Sequence, residues 1–77
     1  MNDALHNRIR VFRAEHRLSQ EELATAIGVT RKTINTIESG RFVPSTVTAL
    51  RVARYFKVPV EQIFSLADPD HPNGTTP

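Results

Sequence analysis

Arg31, Lys32, Asn35 and Thr36 lie within the stretch "VTRKTINTIESG", Val29 to Gly40, and offer hydrogen bonding rather than reactive chemistry. Thr30 is placed to cap a short helix, which puts Arg31 and Lys32 at its first two positions. Unpaired N–H groups and the helix dipole make that end partly positive, so each cation there costs about a few tenths of a kcal/mol. A polyanion lying against the same end would reverse the sign. On a wheel of about 100° per residue, Ile34 centres the buried face and Lys32, Asn35, Thr36 and Ser39 point away from it. Arg31 stands on the shoulder and can reach round. This outward face is rich in donors and holds no carboxylate, and it matches the groups shown in the DNA major groove, where Arg and Lys seek guanine and Asn seeks adenine. A rule broken locally in an otherwise consistent sequence often marks a functional site. Taken alone, the same face also describes a solvated basic helix end.

Other chemistry is poorly supported. There is no cysteine, which excludes disulfides and thiolate metal sites. His6 and His16 are ten residues apart, about 280° round a helix, and cannot share a metal on one face. His71 stands near the C-terminus, and His16 suits packing at the end of the first helix. Ser19, Thr30 and Ser45 are explained as helix caps, and no His–acid arrangement accompanies them to make a nucleophile. Glu21 and Glu22 suit the start of a helix. No enzyme, metal, cofactor or small-molecule ligand is expected.

The elements that must position these residues read as one all-α domain of five short helices, residues 1–66, followed by a disordered tail, residues 67–77 ("ADPDHPNGTTP"). No strand-like alternation is evident. The first helix is expected over Ala4–His16, with Leu5, Ile9 and Phe12 on one stripe. The second opens at "LSQEEL", where Ser19 and Glu22 form a capping box flanked by the Leu18–Leu23 staple. Gly28 ends it. Thr30 caps the third helix, Val29 and Ile34 repeat the staple, and Gly40 supplies the stop. Ser45 caps a fourth helix running to about Phe56, with Leu50, Ala53 and Phe56 inward, helped by Ala49. A fifth is expected over Val60–Leu66.

Charge is divided along the chain. All ten Lys and Arg lie in residues 1–57 against five carboxylates, whereas residues 58–77 hold Glu61, Asp68 and Asp70 with no Lys or Arg. A basic body suits an anionic partner. The N-terminal "MNDALHNRIRVF" has no apolar signal core and no run approaches the roughly 20 apolar residues of a membrane helix. The expectation is a soluble, cytoplasmic protein with no membrane contact.

"LSQEELATAIGVTRKTINTIESG" resembles the helix-turn-helix of the Cro/repressor-type, or XRE, family. Counting from Gln20, a small residue (Ala24) stands fifth, Gly28 ninth, and Ile34 and Ile37 fifteenth and eighteenth. Ala24 lets two helices cross closely, Gly28 tolerates a left-handed turn, and the isoleucines fill the angle between helices. The resemblance continues through "RFVPSTVTALRVARYFKVPVEQIF". It implies a lambda-repressor-like fold whose third helix lies in the major groove. Arg31, Lys32, Asn35 and Thr36 would then read base edges, and Gln20, Thr30 and Arg41 would contact phosphates.

It also implies an Arg13–Glu38 salt bridge joining the first and third helices, since a carboxylate beside an apolar face needs a partner. The sequence departs from the family at Lys57, where glycine is usual after the fourth helix. The function implied is a transcriptional repressor binding double-stranded DNA, as a homodimer on a pseudo-palindromic operator. Tyr55, Phe64, Leu66 and Val52 are candidates for a dimer face, against simple core closure. Antitoxins and bridging factors share the fold, so a protein partner is the alternative reading.

Overall fold

The computed structural model describes residues 4–67. The chain runs β1 (Ala4–Asn7), α1 (Ile9–Glu15), α2 (Gln20–Ile27), α3 (Arg31–Glu38), α4 (Thr46–Phe56), a single 3₁₀ turn (Val60–Gln62) and β2 (Phe64–Ala67). The strands pair antiparallel, with Ala4 opposite Ala67, Leu5 opposite Leu66, His6 opposite Ser65 and Asn7 opposite Phe64.

Over the described residues the fold is therefore four α-helices closed by a two-stranded sheet, not five helices. The first helix begins at Ile9, and the expected Val60–Leu66 helix gives way after one 3₁₀ turn to a strand. Leu5, Ile9 and Phe12 keep helical spacing by coincidence, because Leu5 enters the core's edge from β1. Asn7 makes the switch: its Oδ1 accepts from the Ile9 N–H at 3.1 Å, and its Nδ2 donates to the Ile37 carbonyl at 3.0 Å. The Arg8 N–H donates to the Ile63 carbonyl at 2.8 Å, tying the start of α1 to the chain just before β2. Ala67, placed at the head of the expected tail, is the last residue of β2; the remainder of that tail lies outside the described residues.

Helix starts follow local chemistry. Ser19 Oγ accepts from the Glu22 N–H at 2.9 Å while Glu22 Oε1 accepts from the Ser19 N–H at 2.8 Å, a complete capping box. Thr30 and Ser45 accept from the N–H groups of Thr33 and Thr48. All four α-helices end in the same paired hydrogen-bond pattern around a residue of positive φ, the Schellman motif. At α2 and α3 that residue is glycine, Gly28 (φ 82°) and Gly40 (φ 81°). At α1 and α4 it is Arg17 (φ 55°) and Lys57 (φ 60°).

Lys57 thus pays the left-handed penalty that glycine avoids, and Lys57→Gly is expected to stabilise the fold by about 0.5–1 kcal/mol. In a domain this size that is a rise of roughly 2–8 °C in melting temperature. A fall on calorimetry would show that the Lys57 side chain contributes more than its backbone costs.

The core is Ile9, Phe12, Leu23, Ala24, Ile27, Ile34, Ile37, Val52, Ala53, Phe56, Ile63 and Phe64. Leu18 and Val29 pack against it at the two staple positions. Within α4 the buried phase differs from the expected one: Val52 is fully buried, whereas Leu50 is 53% exposed. Ala49, Val52, Ala53 and Phe56 share a face at i, i+3, i+4 and i+7, and Leu50 falls beside it. Phe64 also points inward at 8% exposure, so Phe64 and Val52 serve core closure and leave Tyr55 and Leu66 on the surface. Phe56 sits at the centre of the aromatic contacts, 5.3 Å from Phe12, 5.1 Å from Tyr55 and 4.9 Å from the His16 ring. His16 Nδ1 lies 2.9 Å from the Phe12 carbonyl, which requires that nitrogen to carry its proton.

Candidate nucleic-acid interface

α2 and α3 meet through Leu23, Ala24, Ile34 and Ile37, all buried, and this packing fixes which residues of α3 remain outside. Ala24 has no side chain beyond Cβ, so the two backbones can approach at the crossing. Between the helices Gly28 turns the chain, and the Arg51 guanidinium of α4 donates to the Ile27 carbonyl at 3.3 Å, placing a cation at the C-terminal end of α2.

On α3, Arg31, Lys32 and Asn35 are exposed. Thr36 is only half-buried rather than fully outward, and its hydroxyl is 3.0 Å from both the Lys32 and Thr33 carbonyls. That hydroxyl hydrogen is spent on the helix itself, which leaves the two oxygen lone pairs and a methyl group. Thr30 is exposed and engaged as the cap, with its Oγ1 3.2 Å from the Thr33 nitrogen. Arg41 is exposed immediately after Gly40, held there because its N–H donates to the Thr36 carbonyl at 3.1 Å.

The one carboxylate of α3 is turned away from this face. The Glu38 side chain is 1% exposed and is gripped by Arg13: Nε donates to Oε2 at 2.6 Å and Nη2 to Oε1 at 3.1 Å. Arg13 Nη1 donates in turn to the Leu18 carbonyl at 2.9 Å, so the guanidinium joins α1, the turn before α2, and α3. Glu38 Oε1 also accepts from Gln20 Nε2 at 3.0 Å, and the exposed Arg10 lies 3.9 Å away. Gln20 Oε1 then accepts from Asn35 Nδ2 at a long 3.5 Å. The sequence does not reveal this Glu38–Gln20–Asn35 chain, because it depends on how side chains fifteen to eighteen residues apart converge.

Burial pushes the Glu38 carboxyl up, but hydrogen bonds from Arg13 and Gln20, with the charges of Arg13 and Arg10, outweigh it and hold the carboxyl below its ordinary value. The bond to Glu38 raises Arg13 against the opposing effect of burial. A lowered native carboxyl pKa contributes stability that is complete above the unfolded value, about 4.3, and is lost as pH falls through the lower native value. Denaturation midpoints should therefore hold from pH 7 to about 5 and decline below about 4. The Arg13→Met/Glu38→Met double variant should lose part of that acid limb; an unchanged limb would assign it to other carboxylates.

No group of three metal-ligating side chains and no helix long and apolar enough to cross a membrane occurs among the described residues. A family model described as "Helix-turn-helix" matches residues 9–63, spanning α1 through the 3₁₀ turn. The chain belongs to the Cro/repressor-type, or XRE, family of helix-turn-helix DNA-binding proteins. It is similar to an uncharacterized HTH-type transcriptional regulator of Methanocaldococcus jannaschii, 42% identical over 64 residues that cover 83% of this chain and 97% of the relative. A similarly described regulator of Bacillus subtilis, YgzD, is 38% identical over the same shares of both chains. Among solved structures, the restriction-modification controller protein C.AhdI from Aeromonas hydrophila superposes with a TM-score of 0.66 at 30% identity. That match covers 70% of this chain and 82% of the controller. The matched residues include α2 and α3 of the regulator, and Arg31, Lys32, Asn35 and Thr36 stand on α3 within them.

Proposed function

We propose that this helix-turn-helix regulator reads a specific double-stranded DNA site with α3 in the major groove, and represses transcription by occupying an operator. One observation carries the reading: α3 presents Arg31, Lys32 and Asn35 to solvent while its single carboxylate is buried against Arg13. The pairing with Arg13 keeps that acid off the outward face and leaves the cations of α3 with no carboxylate of their own helix to neutralise them. In this reading Arg31, Lys32 and Asn35 meet base edges, and Thr36 offers its methyl group to a thymine methyl. Gln20, Thr30 and Arg41 hold phosphates and set the register.

A module this small has limited contact area, and two half-sites related by symmetry allow two weak contacts to act together. The regulator is accordingly assigned as a homodimer on a pseudo-palindromic operator. Tyr55 and Leu66, 40% and 64% exposed, are its candidate contact residues. Selection from randomised duplexes at about 150 mM salt, where nonspecific binding is weak, tests both parts. A two-fold symmetric enriched site is the expected result. A single unsymmetric half-site would remove the dimer, and no enriched sequence would remove specific DNA reading.

A further inference from the structure

We infer that Gln20 is a positioning residue for base reading: it fixes which way the Asn35 amide faces, so that Asn35 presents its oxygen to the groove and selects adenine. The inference rests on the DNA reading above and adds a residue that sets specificity from outside the base contacts.

The argument starts from Glu38. An ionised carboxylate can only accept, so the Gln20 atom 3.0 Å from Glu38 Oε1 must be the amide nitrogen. Amide oxygen and nitrogen are otherwise interchangeable, and here the chemistry of the neighbour decides. Gln20 Oε1 then faces the Asn35 amide, and an acceptor facing Asn35 requires the nitrogen of Asn35 on that side. Asn35 Oδ1 is left for the solvent side, together with one N–H. At 3.5 Å the Gln20–Asn35 contact is weak, and what it sets is polarity more than energy. Turning Asn35 over would place two oxygens against each other.

In the major groove adenine offers an N6 donor beside an N7 acceptor, which pairs with an outward oxygen and one N–H. Guanine offers two acceptors and thymine an acceptor beside a methyl group, so each would set an oxygen against the outward oxygen of Asn35. Gln20 keeps one N–H and one lone pair beyond these bonds, so its assigned phosphate contact is compatible with this role.

The test runs the same duplex selection on the full chain, on Asn35→Ala and on Gln20→Met. The position that loses its preference in Asn35→Ala is the one Asn35 reads. The wild type should favour adenine there by on the order of tenfold. Gln20→Met should reduce that preference to about twofold, with guanine and thymine gaining, while the other positions keep theirs. This comes on top of any uniform loss from the phosphate contact.

If Gln20→Met weakens all sequences alike and leaves that position intact, Gln20 acts on phosphate alone and the inference is overturned. A wild-type preference for any base other than adenine there also overturns it. A readout without DNA separates this failure from failure of the DNA reading. In the free protein the Asn35 side-chain amide proton resonances should shift in Gln20→Met while the backbone spectrum stays native. Unshifted resonances would overturn the positioning role whatever the duplex selection gives. Gln20→Ala also removes the acceptor, and serves in the same way if the Met variant melts early.

Discussion

Arg13→Met is expected to destabilise the domain by about 3–5 kcal/mol, because it strands the Glu38 carboxylate in the interior. The Glu38 side chain is 1% exposed and loses both charge-assisted bonds, keeping only Gln20 and the distant Arg10. For a small domain of ordinary stability, roughly 5–15 kcal/mol, that is a large part of the total. The loss should depend on pH in a specific direction. Without Arg13, burial is less opposed and the carboxyl is pushed upward, so protonation relieves the penalty as pH falls. Urea midpoints at pH 7 and pH 5 should therefore show a smaller gap between variant and wild type at the lower pH.

Glu38→Met should also destabilise, by leaving the Arg13 guanidinium without its acceptor. The double variant should recover much of the loss, since a buried pair replaced by apolar groups is often near neutral. Additive losses in that cycle would mean that the two side chains act independently, contrary to the 2.6 Å contact.

The pair also shows what a sequence can reveal. Arg13 and Glu38 are legible as partners because each is a charge beside an apolar stripe, and because the family resemblance brings the two stripes together. The helix starts at Ser19, Thr30 and Ser45 and the stops at Gly28 and Gly40 are legible because a cap is a local event. The sheet is not legible. Ala4 pairs with Ala67 across nearly the whole chain, each strand is four residues long, and Leu5 keeps a helical interval to Ile9 and Phe12. Nothing local distinguishes that interval from a longer helix. The inward direction of Phe64 is set in the same way, by pairing opposite Asn7 rather than by helical phase.

The candidate interface divides in the same way. Exposure of Arg31, Lys32 and Asn35 follows from a wheel drawn on Ile34 and Ile37. The spending of the Thr36 hydroxyl on its own helix, and the link from Glu38 through Gln20 to Asn35, need three-dimensional placement. The exposed pattern says which residues face outward; the hydrogen bonds say which of their polar atoms remain available.

Arg31→Ala and Lys32→Ala should move stability and binding in opposite directions. Neither group has a carboxylate partner among the described residues, and both sit in the first turn of α3, where the dipole disfavours a cation. Removing either should leave the fold unchanged or raise its stability by about 0.3 kcal/mol or more. On the selected duplex, each should lose about 1–3 kcal/mol of binding, a factor of roughly 5 to 150. On a scrambled duplex the loss should be much smaller, leaving only the phosphate-screening part. The same two residues would then be unfavourable to the helix alone and favourable with DNA present, which is the exchange expected of a reading surface. Thermal melts and fluorescence anisotropy on both duplexes test it. Equal losses on matched and scrambled DNA would make Arg31 and Lys32 contributors of charge alone, and would move base reading to Asn35 and Thr36.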